Sequence, residues 1–220
     1  MPKKSKRSYD QYCSLARTLD LIGERWTLLI VRDLLGGPKR YKDLLNGLPG
    51  IGTNLLANRL KELEEAGLIE NAVLPPPASV KAYRLTERGR ELEAAVVALA
   101  HWGLNLLEEP RRDALWLPQW NHVALRARFN PDMAMDVDAT YAFLIDDYPH
   151  YAVIKNGELT ICEGQPADPA FILKARSDDF VRVLEGELSM EEAIANGTFI
   201  LEGAPEALQR CMQIFTPDPV

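Results

Sequence analysis

Asn54, Asn58 and Lys61 stand in a segment, residues 53–66, where Leu56, Leu60 and Leu63 recur at helical spacing. With Leu56 at zero and about 100° per residue, Leu60 falls at about 40° and Leu63 at about 340°; Asn54, Asn58 and Lys61 fall at about 160°, 200° and 140°. Two amides and a cation therefore oppose an apolar stripe. An Asn amide pairs in bidentate fashion with an adenine edge, and a Lys ammonium reaches a phosphate or a guanine. The chemistry on offer is the reading of double-stranded DNA, with Thr53 opening the segment. Arg59, at about 300°, flanks the stripe and either holds a phosphate or braces the domain. Arg40 and Lys42 before the segment, and Lys81 and Arg84 after it, are cations suited to backbone phosphates, and Lys3, Lys4, Lys6 and Arg7 make a basic arm suited to a minor groove. Any solvated helix shows polar residues opposite its core, so the face alone does not decide; the order of the surrounding elements does.

Other chemistry fails on inspection. Gly50-Ile51-Gly52 begins like a dinucleotide fingerprint, but the third glycine position is Leu55 and no parallel-sheet strand precedes it. No P-loop and no G-x-S-x-G elbow occurs, and His101, His122 and His150 have neither metal spacing nor a nucleophile partner, so they read as surface or interface histidines. Asp146-Asp147 and Ser177-Asp178-Asp179 read as turn and cap residues. No catalysis, metal or cofactor is expected. The three cysteines, Cys13, Cys162 and Cys211, lie far apart with no C-x-x-C pair, which fits a reducing compartment. Cys13 opens a helix, where free N–H groups favour a thiolate, and Arg17 follows one turn later. It is the one candidate redox residue.

The elements that must position these side chains read as follows. Helices are expected over 13–22, 26–35, 41–46 and 53–66, the second ended by Gly36-Gly37-Pro38 and the fourth by Gly67. Strands over 68–74 and 80–85 flank the proline-stiffened tip Pro75-Pro76-Pro77-Ala78-Ser79. Thr86 caps one long helix reaching about Leu107, with Leu92, Val96, Leu99, Trp102 and Leu106 in one stripe. Glu108-Glu-Pro-Arg-Arg-Asp113 breaks that helix and sets the domain boundary, 1–112 and 113–220. Beyond it a helix is expected over 115–129; strands over 139–145, 151–155, 158–162, 171–175 and 198–201; helices over 177–184 and 189–195; and a closing helix from Pro205. Asn156-Gly157 marks a hairpin and Ser189-x-x-Glu192 a capping box.

The chain has 220 residues, 47% apolar and 26% charged, which excludes disordered and disulfide-stapled classes and allows two small domains. Its apolar runs are too short for a membrane span, and its basic start lacks the apolar stretch of a secretory signal, so a cytoplasmic location is expected and no membrane partner. The net charge of -7 hides a split: residues 1–112 carry 18 Lys+Arg against 14 Asp+Glu, and residues 113–220 carry 7 against 18. A polyanion partner would meet only the first half.

Helices, hairpin and long helix in this order make a winged helix-turn-helix. The motifs Cys13 to Leu34, Tyr41-Lys-Asp-Leu-Leu, Leu48-Pro-Gly-Ile-Gly52, Leu60-Lys-Glu-Leu-Glu-Glu-Ala-Gly-Leu68 and Tyr83-Arg-Leu-Thr-Glu-Arg-Gly89 closely resemble the HxlR-type winged-helix transcriptional regulators over roughly residues 8–107. The resemblance implies a homodimer joined through the first and last helices of the domain, one recognition helix and wing per half-site. The long helix agrees, since Ala95, Val97, Leu104 and Leu107 add more apolar surface than a small domain can cover. Two positions depart from the family pattern: Gly52 replaces a frequent Ser and Asn54 a frequent Lys, which removes a cap oxygen and a cation. Some of these regulators sense oxidants through a cysteine at the position of Cys13.

From about Ala139 to Phe215 the chain resembles the sterol-carrier-protein-like domains, through the strands around Asn156-Gly157, Ala170-Phe-Ile-Leu-Lys-Ala175, Glu185-Gly-Glu-Leu188 and Phe199-Ile-Leu-Glu-Gly-Ala-Pro-Glu-Ala-Leu208. The resemblance implies an open α+β sheet with helices over one face and an apolar tunnel. Behind a DNA-binding domain such a tunnel would take an apolar small-molecule effector. Its candidate lining is Phe143, Ile145, Phe171, Phe180, Leu184, Met190, Ile194, Leu208, Met212 and Phe215, all residues that equally suit a plain core. The whole reads as an α+β regulator; the alternative is a lipid or acyl carrier whose winged helix serves only dimerisation or protein contact.

Overall fold

The computed structural model describes residues 8–74, 80–107, 116–184 and 186–216. The basic arm, the proline tip and the 108–113 boundary segment lie outside the described residues. Contacts divide the chain into two compact units, Met1–Val96 and Val97–Val220.

The first unit opens with α1 (Ser14–Ile22), α2 (Thr27–Leu35), α3 (Tyr41–Gly47) and α4 (Thr53–Glu65). Ile30, Val31, Leu34, Leu44, Leu56, Leu60 and Leu63 are buried, so the helical stripes of the sequence are the contacts that pack these helices together. β1 (Ile69–Val73) and β2 (Lys81–Leu85) form an antiparallel hairpin with Ile69 opposite Leu85. Lys39 joins it by exchanging backbone bonds with Tyr83, 2.9 and 2.8 Å long, which fastens the chain ahead of α3 to the hairpin. Trp26, which caps α2, sits at φ 80, a left-handed conformation that costs a side-chain-bearing residue about 1–3 kcal/mol.

The expected single helix after Thr86 is two: α5 (Glu87–Arg90) and α6 (Glu93–Gly103), followed by a 3-10 turn, Leu104–Leu106. Thr86 does cap, its hydroxyl accepting from Gly89 N at 3.0 Å and donating to Gly67 O at 2.7 Å. The break comes from close packing at Gly89, where a Cβ would stand 2.0 Å from the Leu68 carbonyl oxygen. Held that tightly to the hairpin base, the chain closes with a tightened bond from Leu92 N to Gly89 O and then restarts. Apolar periodicity continues through such a break and does not register it. Of the expected stripe only Val96 is buried; Leu99, Trp102 and Leu106 are 53%, 64% and 62% exposed.

Within the second unit, after α6 and its 3-10 turn, come a 3-10 turn, Pro118–Trp120, and α7 (Asn121–Arg128). The helix expected from Leu115 thus starts at Asn121, because Pro118 supplies no N–H to extend a helix through it. β3 (Asp138–Ile145), β4 (Tyr148–Lys155), β5 (Glu158–Glu163), β6 (Phe171–Ala175) and β7 (Ile200–Gly203) form one sheet in the order β5-β4-β3-β6-β7, with β3 and β6 parallel and the other pairs antiparallel. Asn156 and Gly157, at φ 51 and 77, make the tight turn expected between β4 and β5. Strand β7 starts two residues later than expected, because Phe199 turns into the core instead of pairing. α8 (Ser177–Leu184), α9 (Met190–Ala195) and α10 (Pro205–Ile214) complete the unit, α9 behind the Ser189–Glu192 capping box.

One sheet face carries the core. Tyr141, Phe143, Ile145, Ala152, Ile154, Phe171 and Leu173 pack with Ala193 of α9 and Leu208, Cys211 and Ile214 of α10. The period-2 alternation of the strands places them there.

Candidate nucleic-acid interface

α4 presents the predicted faces. Leu56, Leu60 and Leu63 are no more than 2% exposed, whereas Thr53, Asn54, Asn58 and Lys61 are exposed. Gly52 precedes the helix without a side-chain cap, as its lack of a side chain requires, and Tyr41 Oη donates to Thr53 O at 2.7 Å, tying α3 to the start of α4. Lys61 approaches Glu65 at 3.9 Å with both side chains more than 60% exposed, a contact that water and salt largely screen. Lys42 and Lys81 are exposed as well.

The arginines behave differently. Arg40 grips Asp43 with Nε and Nη2 at 2.9 and 3.1 Å in a capping arrangement at the start of α3. Arg84 Nε lies 2.7 Å from Glu70 Oε1 across the hairpin. Arg59 bonds Glu24 at 2.9 Å and Glu62, with its side chain only 15% exposed. The i,i+3 partners Asp43 and Glu62 could have been found from spacing. Glu24 and Glu70 could not, since only the fold brings them near. Cys13 is exposed at the cap of α1, and Arg17 reaches Asp20 and Ser8.

In the second unit, Phe143, Ile145, Phe171 and Leu208 are buried in the sheet core, and Phe180, Met190, Ile194 and Phe215 pack half-buried against it. Phe143 meets Phe171 edge-on at 5.8 Å, and Phe215 lies 5.9 Å from Phe129. Met212 is 38% exposed and outside this cluster; the Leu184 side chain is outside the described residues.

His150 corrects an expectation. It is 2% exposed, not a surface residue, stacked on Phe143 at 5.3 Å with its Nε2 3.0 Å from Asn121 Nδ2. Burial pushes its pKa down to about 4. A neutral ring accepting from Asn121 satisfies both groups. Sequence reasoning missed this pair because neither residue type marks a core position. Burial raises the Cys211 thiol far above its ordinary range, which disqualifies it as a nucleophile. Asp146, in the turn after β3 at φ 51, accepts at its Oδ1 from Ser177 N at 3.1 Å at the start of α8, a bond that only the fold brings about. Among the described residues no group of three or more His, Cys, Asp or Glu could hold a metal ion, and no helix is long and apolar enough to cross a membrane.

A helix-turn-helix with an outward polar face, followed by a hairpin, defines the winged-helix class. Residues 21–111 match the HxlR-like helix-turn-helix family model, and residues 121–216 match that of the SCP-2 sterol transfer family. The chain is 43% identical over 97 residues to the uncharacterized HTH-type transcriptional regulator Rv3095 of Mycobacterium tuberculosis, covering 44% of this chain and 61% of that protein. It is 42% identical over 82 residues to the HTH-type transcriptional regulator YodB of Bacillus subtilis, covering 37% of this chain and 73% of YodB. The solved reduced form of YodB superposes with a TM-score of 0.38 at 35% identity, covering 46% of this chain and all of that one. The chain belongs to the HxlR-like helix-turn-helix family and carries an SCP-2-type region behind it.

Proposed function

We propose that the protein is a transcriptional regulator that binds double-stranded DNA as a homodimer on an inverted repeat, with half-sites about 34 Å apart. The observation that carries this reading is the exposure of Asn54, Asn58 and Lys61 opposite the buried leucines of α4. The two amides supply base readout and Lys61, Lys42 and Lys81 the phosphate contacts. Exposed Leu15 and Leu19 on α1, and Leu99 and Trp102 on α6, support dimerisation through those helices. The aromatic core of the second unit is the place for an apolar effector, which would have to bind two DNA-binding states with different affinities to act. No catalysis is assigned.

Fluorescence anisotropy at about 0.15 M salt, against duplex from upstream of the gene with scrambled competitor, tests the reading. Selectivity of at least about 10³-fold is expected. Equal competition by the two duplexes would favour a carrier of lipid or acyl groups, the second reading that the SCP-2 match supports. That carrier would retain an apolar ligand through purification, visible by native mass spectrometry of the whole chain.

A further inference from the structure

Arg59 lies on the recognition helix among residues suited to DNA, yet it is committed elsewhere. Its Nη2 lies 2.9 Å from Glu24 Oε2, and its Nη1 bonds Glu62 one turn along α4. Two carboxylates face one guanidinium, so the cluster is net negative and would repel a phosphate. The Arg59 Nε is buried without a hydrogen-bond partner. Swinging the side chain out to DNA would break both ion pairs and leave Glu24 and Glu62 facing the duplex.

Glu24 belongs to the turn between α1 and α2, and that turn touches the reading head at a second point. Trp26, in its left-handed conformation, has its ring beside Gly50 in the α3–α4 turn, where a Cβ would stand 3.8 Å from the ring edge. Arg25 covers the same ring at 4.9 Å from its centroid. The turn thus holds α4 by Glu24–Arg59 and abuts the approach to α4 by Trp26 and Gly50. Asn54 and Asn58 project from the part of the helix between these two supports.

We propose that Arg59 is a positioning residue for base reading: through Glu24 it sets the pitch of α4, so that Asn54 and Asn58 meet base edges, and it makes no phosphate contact. The proposal rests on reading α4 as the recognition helix.

The test uses the full chain and a duplex selected by the wild-type protein from a random-sequence library, with a scrambled duplex beside it. Affinity for both is measured over a range of salt for wild type, Glu24→Gln, Arg59→Met and Arg59→Lys, each checked by thermal melting to be folded at the assay temperature. Glu24→Gln and Arg59→Met are expected to lower the selected-to-scrambled ratio about tenfold, the scale of one lost base contact, with the salt slope unchanged. Arg59→Lys, which keeps the charge near Glu24, is expected to restore part of the ratio. A phosphate contact predicts the opposite sign for Glu24→Gln: the freed guanidinium would tighten binding to both duplexes and steepen the slope, by up to about 0.9. That result, a slope flattened by about 0.9 in Arg59→Met, or an unchanged ratio in both variants would overturn the proposal. Should Arg59→Met not fold, Glu24→Gln, whose side chain is half exposed, carries the test alone. If the wild type selects no duplex, the reading of α4 falls instead, and the two failures are distinct.

Discussion

Asn58 and Lys61 sit side by side on one helix face but should fail in different ways when truncated. Asn58→Ala is expected to cost about 1–3 kcal/mol at the selected duplex and little on scrambled DNA, as anisotropy titration would show. Lys61→Ala should weaken both duplexes alike and reduce the salt slope by about 1. His150 gives a pH prediction. Its pKa is depressed to about 4 in the folded unit, against an ordinary value near 6.5, so the unfolded chain binds the proton first as pH falls. Its stabilising effect is complete above about pH 6.5 and declines progressively toward pH 4, by on the order of 3 kcal/mol. Urea midpoints of wild type and His150→Phe between pH 7.5 and 4.5 should converge as the pH falls; a constant gap would refute this. The outward amides were legible because three leucines define a helix face without help from the rest of the chain. The burial of His150 was not. It follows from strand pairing, which sets His150 opposite Phe143 on the core face.

At the scale of elements, most boundaries follow from local signals with local energies. Ser189 and Glu192 close a capping box, Pro205 starts α10, and Asn156-Gly157 turns β4 into β5 because both positions need positive φ. Pro118 delays α7 by a local effect, whereas two other departures lie where a distant group overrides local preference. α5 stops because Gly89 is pressed against the Leu68 carbonyl, and β7 starts late because Phe199 is drawn into the core. Gly89→Ala is accordingly expected to destabilise the first unit by about 1–3 kcal/mol or more, since backbone cannot yield as a flexible side chain does. A urea midpoint matching wild type would show that the hairpin base relaxes to admit a methyl group.

Across the whole molecule, the exposed apolar residues of α6 bear on assembly. Replacing Leu99 by Glu and Trp102 by Ser together should convert a dimer into monomers, read by light scattering on a sizing column, and weaken DNA binding by uncoupling the half-sites. An unchanged dimer mass would place the interface elsewhere. The two-part organisation was legible from the charge split and from motifs confined to either half, because composition and short motifs are properties of contiguous chain. The sequence by itself determined most of the helices, the Asn156-Gly157 turn and the outward amides, since i,i+4 and period-2 patterns act over a few residues. Only the tertiary structure decided that Arg59 meets Glu24, 35 residues away, that His150 pairs with Asn121 inside the core, and that the helix after Thr86 breaks. Those outcomes depend on which distant groups share a place once the chain is packed, and close packing permits few arrangements that no local pattern encodes.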